Sequence, residues 1–249
     1  MTPVLAFDIE TIPDVAGIRR LHDLPKELPE REVAEIAFQR RRTQTGSDFL
    51  PPQLQRVAVI SCVLRGDEGL RVFSLEGEER DIIQRFYEGI EKFVPQLVSW
   101  NGGGFDLPVL NYRALIHGLS AERFWEPGRN NYYNRYQDMH LDLMDVLAMY
   151  QPRNNAPLDE VAQLAGFPGK IGIGGARVWE TWLAGDTAKI RDYCEADTVN
   201  TYLLFLRYQL LRGVFSKDVL QKETKLLRSY LQQQNKPHWR EFLQLWNEA

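Results

Sequence analysis

The apolar run that ends in FDIET, residues 7–11, constrains this chain more than any other stretch. Residues 3–10 read as a buried strand, and a strand sends successive side chains to opposite faces. Phe7 and Ile9 therefore point one way, and Asp8 and Glu10 the other. Two like charges side by side on a sheet repel, and ordinary sheets avoid that pairing. The arrangement calls for positive charge between the two carboxylates.

The rest of the chain predicts the frame around that strand. Residues 13–55 form an irregular segment rich in Pro, Glu and Arg, with a helix expected over EREVAEIAFQRRR; it interrupts two strong strand signals and reads as an insertion or flap. RVAVISCVLRG (56–66) and LRVFSLEG (70–77) have strand composition and a short polar connection, which predicts a hairpin. EERDIIQRFYEGIEKFV (78–94) repeats apolar residues at helical spacing. QLVSWN (96–101) is a short buried strand, and DLPVLNYRALIHG (106–118) a helix with Gly118 as its C-cap. HLDLMDVL (140–147) reads as another strand, 158–165 and 177–184 as short helices, and 187–211 as one long helix. From 216 onwards the tail is helical and polar, with little sign of a second core. The expected class is α/β, a mixed sheet with helices packed against it, an order compatible with the ribonuclease H-like fold.

Composition sets outer bounds. The chain has 249 residues, is 44% hydrophobic and 26% charged, which suits one large domain with an appendage. No apolar run approaches the roughly 18–20 residues that a membrane helix needs. The first residues carry no basic segment followed by an apolar run and a small-residue cleavage site, and Cys62 and Cys194 read as reduced core thiols; a cytoplasmic location is the expectation. A net charge of −4 argues against binding nucleic acid through the overall field, but not against an enzyme that grips a chain end through local patches or bound cations.

Two further acidic positions matter. In SWNGGGFD a buried strand ends at Asn101, three glycines permit an unusual backbone path, and Asp106 begins the next helix. Taken alone, Asp106 reads as a helix cap. In YCEAD, Tyr193 and Asp197 are four apart and share a helix face, which taken alone reads as a solvated face with a neighbouring tyrosine. Together, Asp8, Glu10, Asp106 and Asp197 come from separate elements and have the chemistry of a hard-cation site: carboxylates supply both oxygen ligands and compensating charge for Mg²⁺ or Mn²⁺.

FDIET, NGGGFD and YCEAD, in that order and at these separations, resemble the three motifs of the DEDDy group of 3′–5′ exonucleases, within the ribonuclease H-like (DnaQ-like) superfamily. The chain is most similar to predicted exonucleases related to the proofreading domain of family-B DNA polymerases, and HLDLMDVL and LDEVAQLAGFPGK also look like that subgroup. The resemblance implies a five-stranded mixed sheet in an exonuclease domain over 1–211, with 13–55 inserted and 212–249 a helical extension. It further implies two divalent ions, Mg²⁺ or Mn²⁺, that hydrolyse phosphodiesters at a single-stranded 3′ end and release nucleoside 5′-monophosphates. Asp8 would bridge both ions, and Glu10 and Asp197 would hold the one that carries the attacking water. Asp106 would hold the other, and Tyr193 would orient the water. Thr11, Asn101 and Phe105 are the implied substrate contacts. The sister group has a histidine five residues before the last aspartate; here that residue is Asp192, so this chain is of the tyrosine type.

Other features are open. His140 and Asp142 share a strand face and are candidates to line the site, or to form a structural pair. The segment 124–140 interleaves aromatics with Arg129 and Arg135 and suits stacking on unpaired bases as well as packing on the domain. Arg19–Arg20 and Arg40–Arg42 either guide a phosphate backbone or form solvated faces. GKIGIGGAR lacks phosphate-loop spacing, and no zinc-protease, thiol-redox or serine-hydrolase motif occurs. DNA is the favoured substrate, an RNA-trimming enzyme of the ribonuclease D type is the first alternative, and a noncatalytic nucleic-acid-binding module on the same fold is the second.

Overall fold

The computed structural model describes residues 2–128 and 131–246; Arg129 lies outside the described residues. Five strands form one mixed sheet in the order β3-β2-β1-β4-β5. Central β1 (Val4–Pro13) runs antiparallel to β2 (Gln55–Gly66), which pairs antiparallel with β3 (Gly69–Leu75). On its other side β1 runs parallel to β4 (Gln96–Ser99), and β4 runs parallel to β5 (His140–Asp142). The fifth strand is shorter than the sequence suggests. Asp142 caps a short helix by accepting from the Asp145 amide, so the chain turns into helix after three strand residues.

The alternation of β1 divides the molecule. Leu5, Phe7 and Ile9 enter the core beneath α3 (Glu79–Phe93) and α4 (Asp106–His117). Ala6 faces the opposite core, which contains α9 (Thr187–Leu211) and the tail helices α10 (Lys217–Gln234) and α11 (Pro237–Leu245). Helix α9 is buried nearly all round, as a helix between a sheet and an outer helical layer must be. The polar tail closes this core rather than forming its own, with Leu227, Leu231, Trp239, Phe242 and Trp246 buried. Each fully buried side chain of this size contributes roughly 1.5–3 kcal/mol.

The segment after β1 folds as α1 (Val15–His22) and α2 (Glu30–Thr45) around Ile18, Val33, Ala37 and Leu50. A buried ion network ties it to the body: the Arg113 guanidinium donates to Asp14 at 2.6 Å and to Glu79 at 2.8 and 2.5 Å. Arg41 and Arg42 serve the segment itself, Arg42 pairing with Asp48 and Arg41 donating to the Phe49 carbonyl, whereas Arg31 reaches outside it to Glu180 at 2.9 and 2.8 Å. The remaining helices are α5 (Glu122–Trp125), α6 (Leu143–Leu147), α7 (Leu158–Leu164) and α8 (Val178–Leu183). Among the described residues, no helix is long and apolar enough to cross a membrane.

Candidate active site

Because Asp8 and Glu10 alternate with Phe7 and Ile9, they emerge on the side of the sheet covered by α9. A register irregularity between Glu10 and Thr11 interrupts the β1–β2 ladder there, a distortion common beside functional sites. Carboxylate oxygens of Asp8 and Glu10 and the Cys194 sulfur all lie within 4.8 Å of one another. The Cys194 thiol faces the main-chain oxygen of Asp8 at 3.4 Å and its carboxylate at 3.6 Å. Burial and the carboxylates push that thiol far up, so it remains a neutral donor.

Asp106 does not cap its helix. Phe105 occupies the N-cap, and the Asp106 carboxylate instead accepts from the Ile9 amide at 3.2 Å, between Asp8 and Glu10 in sequence. The loop from β4 makes this reach possible. Asn101 sits at φ +67°, and Asp142 accepts from the amides of Asn101 and Gly103, each at 2.9 Å. Gly102 is required by close approach: a Cβ there would lie 2.3 Å from the Ser99 hydroxyl, which is itself bonded to His140 Nε2 at 2.8 Å. His140 and Asp142 thus brace the loop that delivers Asp106, and burial holds His140 down to about 4, neutral at physiological pH.

From α9, Asp197 and Tyr193 meet in a side-chain hydrogen bond, as their four-residue spacing allows. The other Asp197 oxygen, Oδ1, is buried without a hydrogen-bond partner. Glu195, between them in sequence, faces the other way. It accepts from Ser74, from Lys236 at 3.1 Å and from His238 at 2.8 Å, which locks α9 to β3 and α11.

The electrostatics follow from four carboxyls withdrawn from water. Burial raises Asp8 well above the usual carboxylate range, and Asp106, Glu10 and Asp197 raise it further. Glu10 is raised in the same way by burial, then by Asp197 and Asp106. Burial lifts Asp106 to about 7 and Asp197 to about 6. Crowded, desolvated carboxyls with an unpartnered buried oxygen fit a hard divalent cation by charge and by donor type. Tyr193 is pushed up by burial and by Asp197, so its hydroxyl keeps its proton.

One contributor was not singled out in the sequence. Lys170 offsets the charge of both Glu10 and Asp197. Its exposed side chain follows Gly169, which has φ +69° and is clamped by Asn200 of α9 through two hydrogen bonds of 3.3 and 2.7 Å. Nothing local distinguishes Lys170 from other lysines; the clamp, and the bond of its own amide to Asp159 at 2.7 Å, bring it here. Among the other expected contacts, Phe105 lies 5.2 Å from the exposed Phe49 ring, and the Thr11 hydroxyl donates to Gln55 at 3.0 Å. Arg135 pairs with Asp145 and covers Tyr136 and Tyr150 at 5.8 and 5.4 Å, well occupied by its own neighbours.

Comparisons with known proteins bear on the family and the fold. The family described as predicted 3′–5′ exonucleases related to the exonuclease domain of PolB matches residues 47–246, which include Asp106, Tyr193 and Asp197. A DNA polymerase of Archaeoglobus fulgidus is 24% identical over 199 residues, covering 76% of this chain and 25% of that protein. The catalytic subunit of DNA polymerase epsilon from Aspergillus fumigatus is 27% identical over 222 residues, covering 82% of this chain and 9% of the polymerase. The chain therefore spans a quarter or less of these relatives. The family B DNA polymerase of Pyrobaculum calidifontis matches in structure with a TM-score of 0.54 and 22% identity, over 84% of this chain and 25% of that one. That likeness concerns the fold, a ribonuclease H-like mixed sheet flanked by helices.

Proposed function

Because the chain belongs to the family of predicted 3′–5′ exonucleases related to the exonuclease domain of PolB, we propose that it hydrolyses phosphodiesters at single-stranded 3′ ends, preferring DNA. The observation that carries this reading is the convergence of Asp8, Glu10, Asp106 and Asp197, all raised by burial, with Asp8 and Glu10 raised further by the other carboxylates and Lys170 offsetting Glu10 and Asp197. Such a cluster is costly to a fold unless a cation occupies it. The relatives being DNA polymerases supports DNA over RNA.

In this reading the four carboxylates would hold two divalent ions, Mg²⁺ or Mn²⁺. Bound there, the ions supply water activation and neutralise charge on the phosphate and the leaving oxygen. The chain's own residues do the rest. Tyr193, kept protonated, donates to Asp197 and orients the attacking water; it is not a base. Lys170 contacts a non-bridging phosphate oxygen and lowers the repulsion between phosphate and carboxylates. Phe105, backed by Phe49, supports the terminal base, and Asn101 and Thr11 border the path of the strand. Water attacks phosphorus, the bond from phosphorus to the 3′ oxygen of the preceding nucleotide breaks, and that oxygen takes a proton. The products are a nucleoside 5′-monophosphate and a shortened strand with a free 3′ hydroxyl.

The test compares matched DNA and RNA oligonucleotides and identifies the products by chromatography. Nucleoside 5′-monophosphates released faster from DNA support the reading. Faster release from RNA would move it to an exoribonuclease, and internal fragments would exclude end-directed cleavage.

A further inference from the structure

A groove of about 650 Å³ lies outside the carboxylate site, between the C-terminal half of α9 and the face of α10. Its charged lining residues are Arg207, Lys217, Lys225 and Arg228, and among the described residues none that lines it is acidic. For a chain of net charge −4, that is a strong local segregation. Of the two acids of α10, Asp218 is exposed and does not line the groove, and Glu223 turns towards β2 and pairs with Arg65 at 2.8 Å. We propose that this groove holds the phosphodiester backbone of the strand whose 3′ end enters the carboxylate site, a role that rests on the exonuclease reading.

The spacing points to a strand rather than a compact anion. Lys217, Gln221, Thr224, Arg228 and Gln232 recur at intervals of three or four along α10, so one face of the helix presents polar and basic groups over its whole length. At 1.5 Å per residue that stripe is about 22 Å long. A single phosphate or mononucleotide would engage a turn or two; an extended backbone matches the full track. Arg207 lies over the Phe167 ring at 5.5 Å and Arg228 over Trp246 at 5.4 Å. For Arg207, such stacking supports the guanidinium plane and leaves N–H edges for phosphate oxygens.

Short stretches of chain link the groove to the site. Phe167 lines it, Gly169 is clamped to Asn200, and Lys170 is the countercharge of Glu10 and Asp197. Along α9, Arg207 is ten residues from Asp197, about 15 Å. A strand with its end at the carboxylates has its preceding phosphates in reach of the groove, whereas a very short oligonucleotide does not.

The experiment measures binding of 5′-fluorescent oligothymidylates of about three and about twenty nucleotides by anisotropy, in chelator and across a salt series. The full chain is compared with a combined Arg207→Ala, Lys217→Ala and Lys225→Ala variant, three exposed positions. The expected result is at least a tenfold loss of affinity for the long strand and none for the short one. The slope of log affinity against log salt should fall by about 2, since each cation releases about 0.7 of a counterion. Lys217→Glu with Lys225→Glu should weaken the long strand further, with an unchanged melting temperature. Equal long-strand affinity in all three proteins would overturn the proposal, as would a matching loss for thymidine 5′-monophosphate, which would mark a free-nucleotide site. Metal-dependent cleavage of a dinucleotide reads the carboxylate site separately. Retained cleavage with unaltered strand affinity overturns the groove alone; absent cleavage in the wild type with groove-dependent affinity overturns the exonuclease reading and leaves the groove standing.

Discussion

Replacing Asp197 by Asn should stabilise the metal-free protein at high pH while removing its response to metal. Asp197 has a carboxyl raised by burial to about 6 in the folded state, against an ordinary value of 3.8. The sign follows from proton linkage: below pH 4 both states hold the proton and nothing is lost. Between 4 and 6 the unfolded chain releases it first, so folded stability falls, and above 6 the penalty is constant. A shift of about 2 units corresponds to roughly 3 kcal/mol at pH 8 and little at pH 4. Asparagine keeps the acceptor for Tyr193 and carries no charge, so it escapes this penalty. Its amide adds a pH-independent cost of about 1–3 kcal/mol if it lacks a partner, as Asp197 Oδ1 does. The informative quantity is therefore the difference between variant and wild type at pH 8 minus that at pH 4, in chelator, from urea unfolding. A value of 2–3 kcal/mol in favour of the variant is expected, roughly 4–12 °C in melting temperature for a domain of this size. A difference that does not change with pH would refute the account of a strained carboxylate cluster.

Further predictions concern the neighbours of Asp197. Tyr193→Phe should lower turnover without abolishing it and without moving the pH profile, because the hydroxyl acts as a donor; undiminished turnover would remove Tyr193 from the mechanism. Lys170→Met should slow turnover yet tighten Mn²⁺ binding several-fold in calorimetry, since it removes a cation that competes for Glu10 and Asp197. Unchanged affinity would place Lys170 away from the cations. Gly102→Ala should cost about 1–3 kcal/mol through its clash with Ser99 and displace the loop that delivers Asp106; a variant as stable and active as wild type would show that the loop's path does not depend on that contact.

Much of this was legible in the chain itself, for identifiable reasons. The β1 alternation, the β2–β3 hairpin and the long α9 are local patterns of period two and three to four, and they reappear with nearly the expected bounds. The carboxylates stood out because Asp8 and Glu10 alternate along β1, Asp106 opens α4 and Asp197 lies on α9 four residues from Tyr193. What was missed depends on contacts between distant residues. Asp106 belonged to the expected carboxylate set, but taken alone it looked like a cap, because sequence shows only its own helix and its partner, the Ile9 amide, is 97 residues away. HLDLMDVL looked like one strand because its apolar residues suit either element, and Asp142 turns it into helix by capping. Lys170 depends on the clamp between Gly169 and Asn200, and the role of the tail in closing the core depends on five apolar residues spread over α10, α11 and the residue after it. No window of sequence holds either relationship.

The most direct test of the central claim is digestion of a 5′-labelled single strand with Mg²⁺, with Mn²⁺ and with chelator, beside an Asp8→Ala control. Convergent carboxylates that hold catalytic cations predict a ladder shortening from the 3′ end, dependent on metal and absent in the control. Intact strands under every metal condition, or the same ladder from Asp8→Ala, would contradict it.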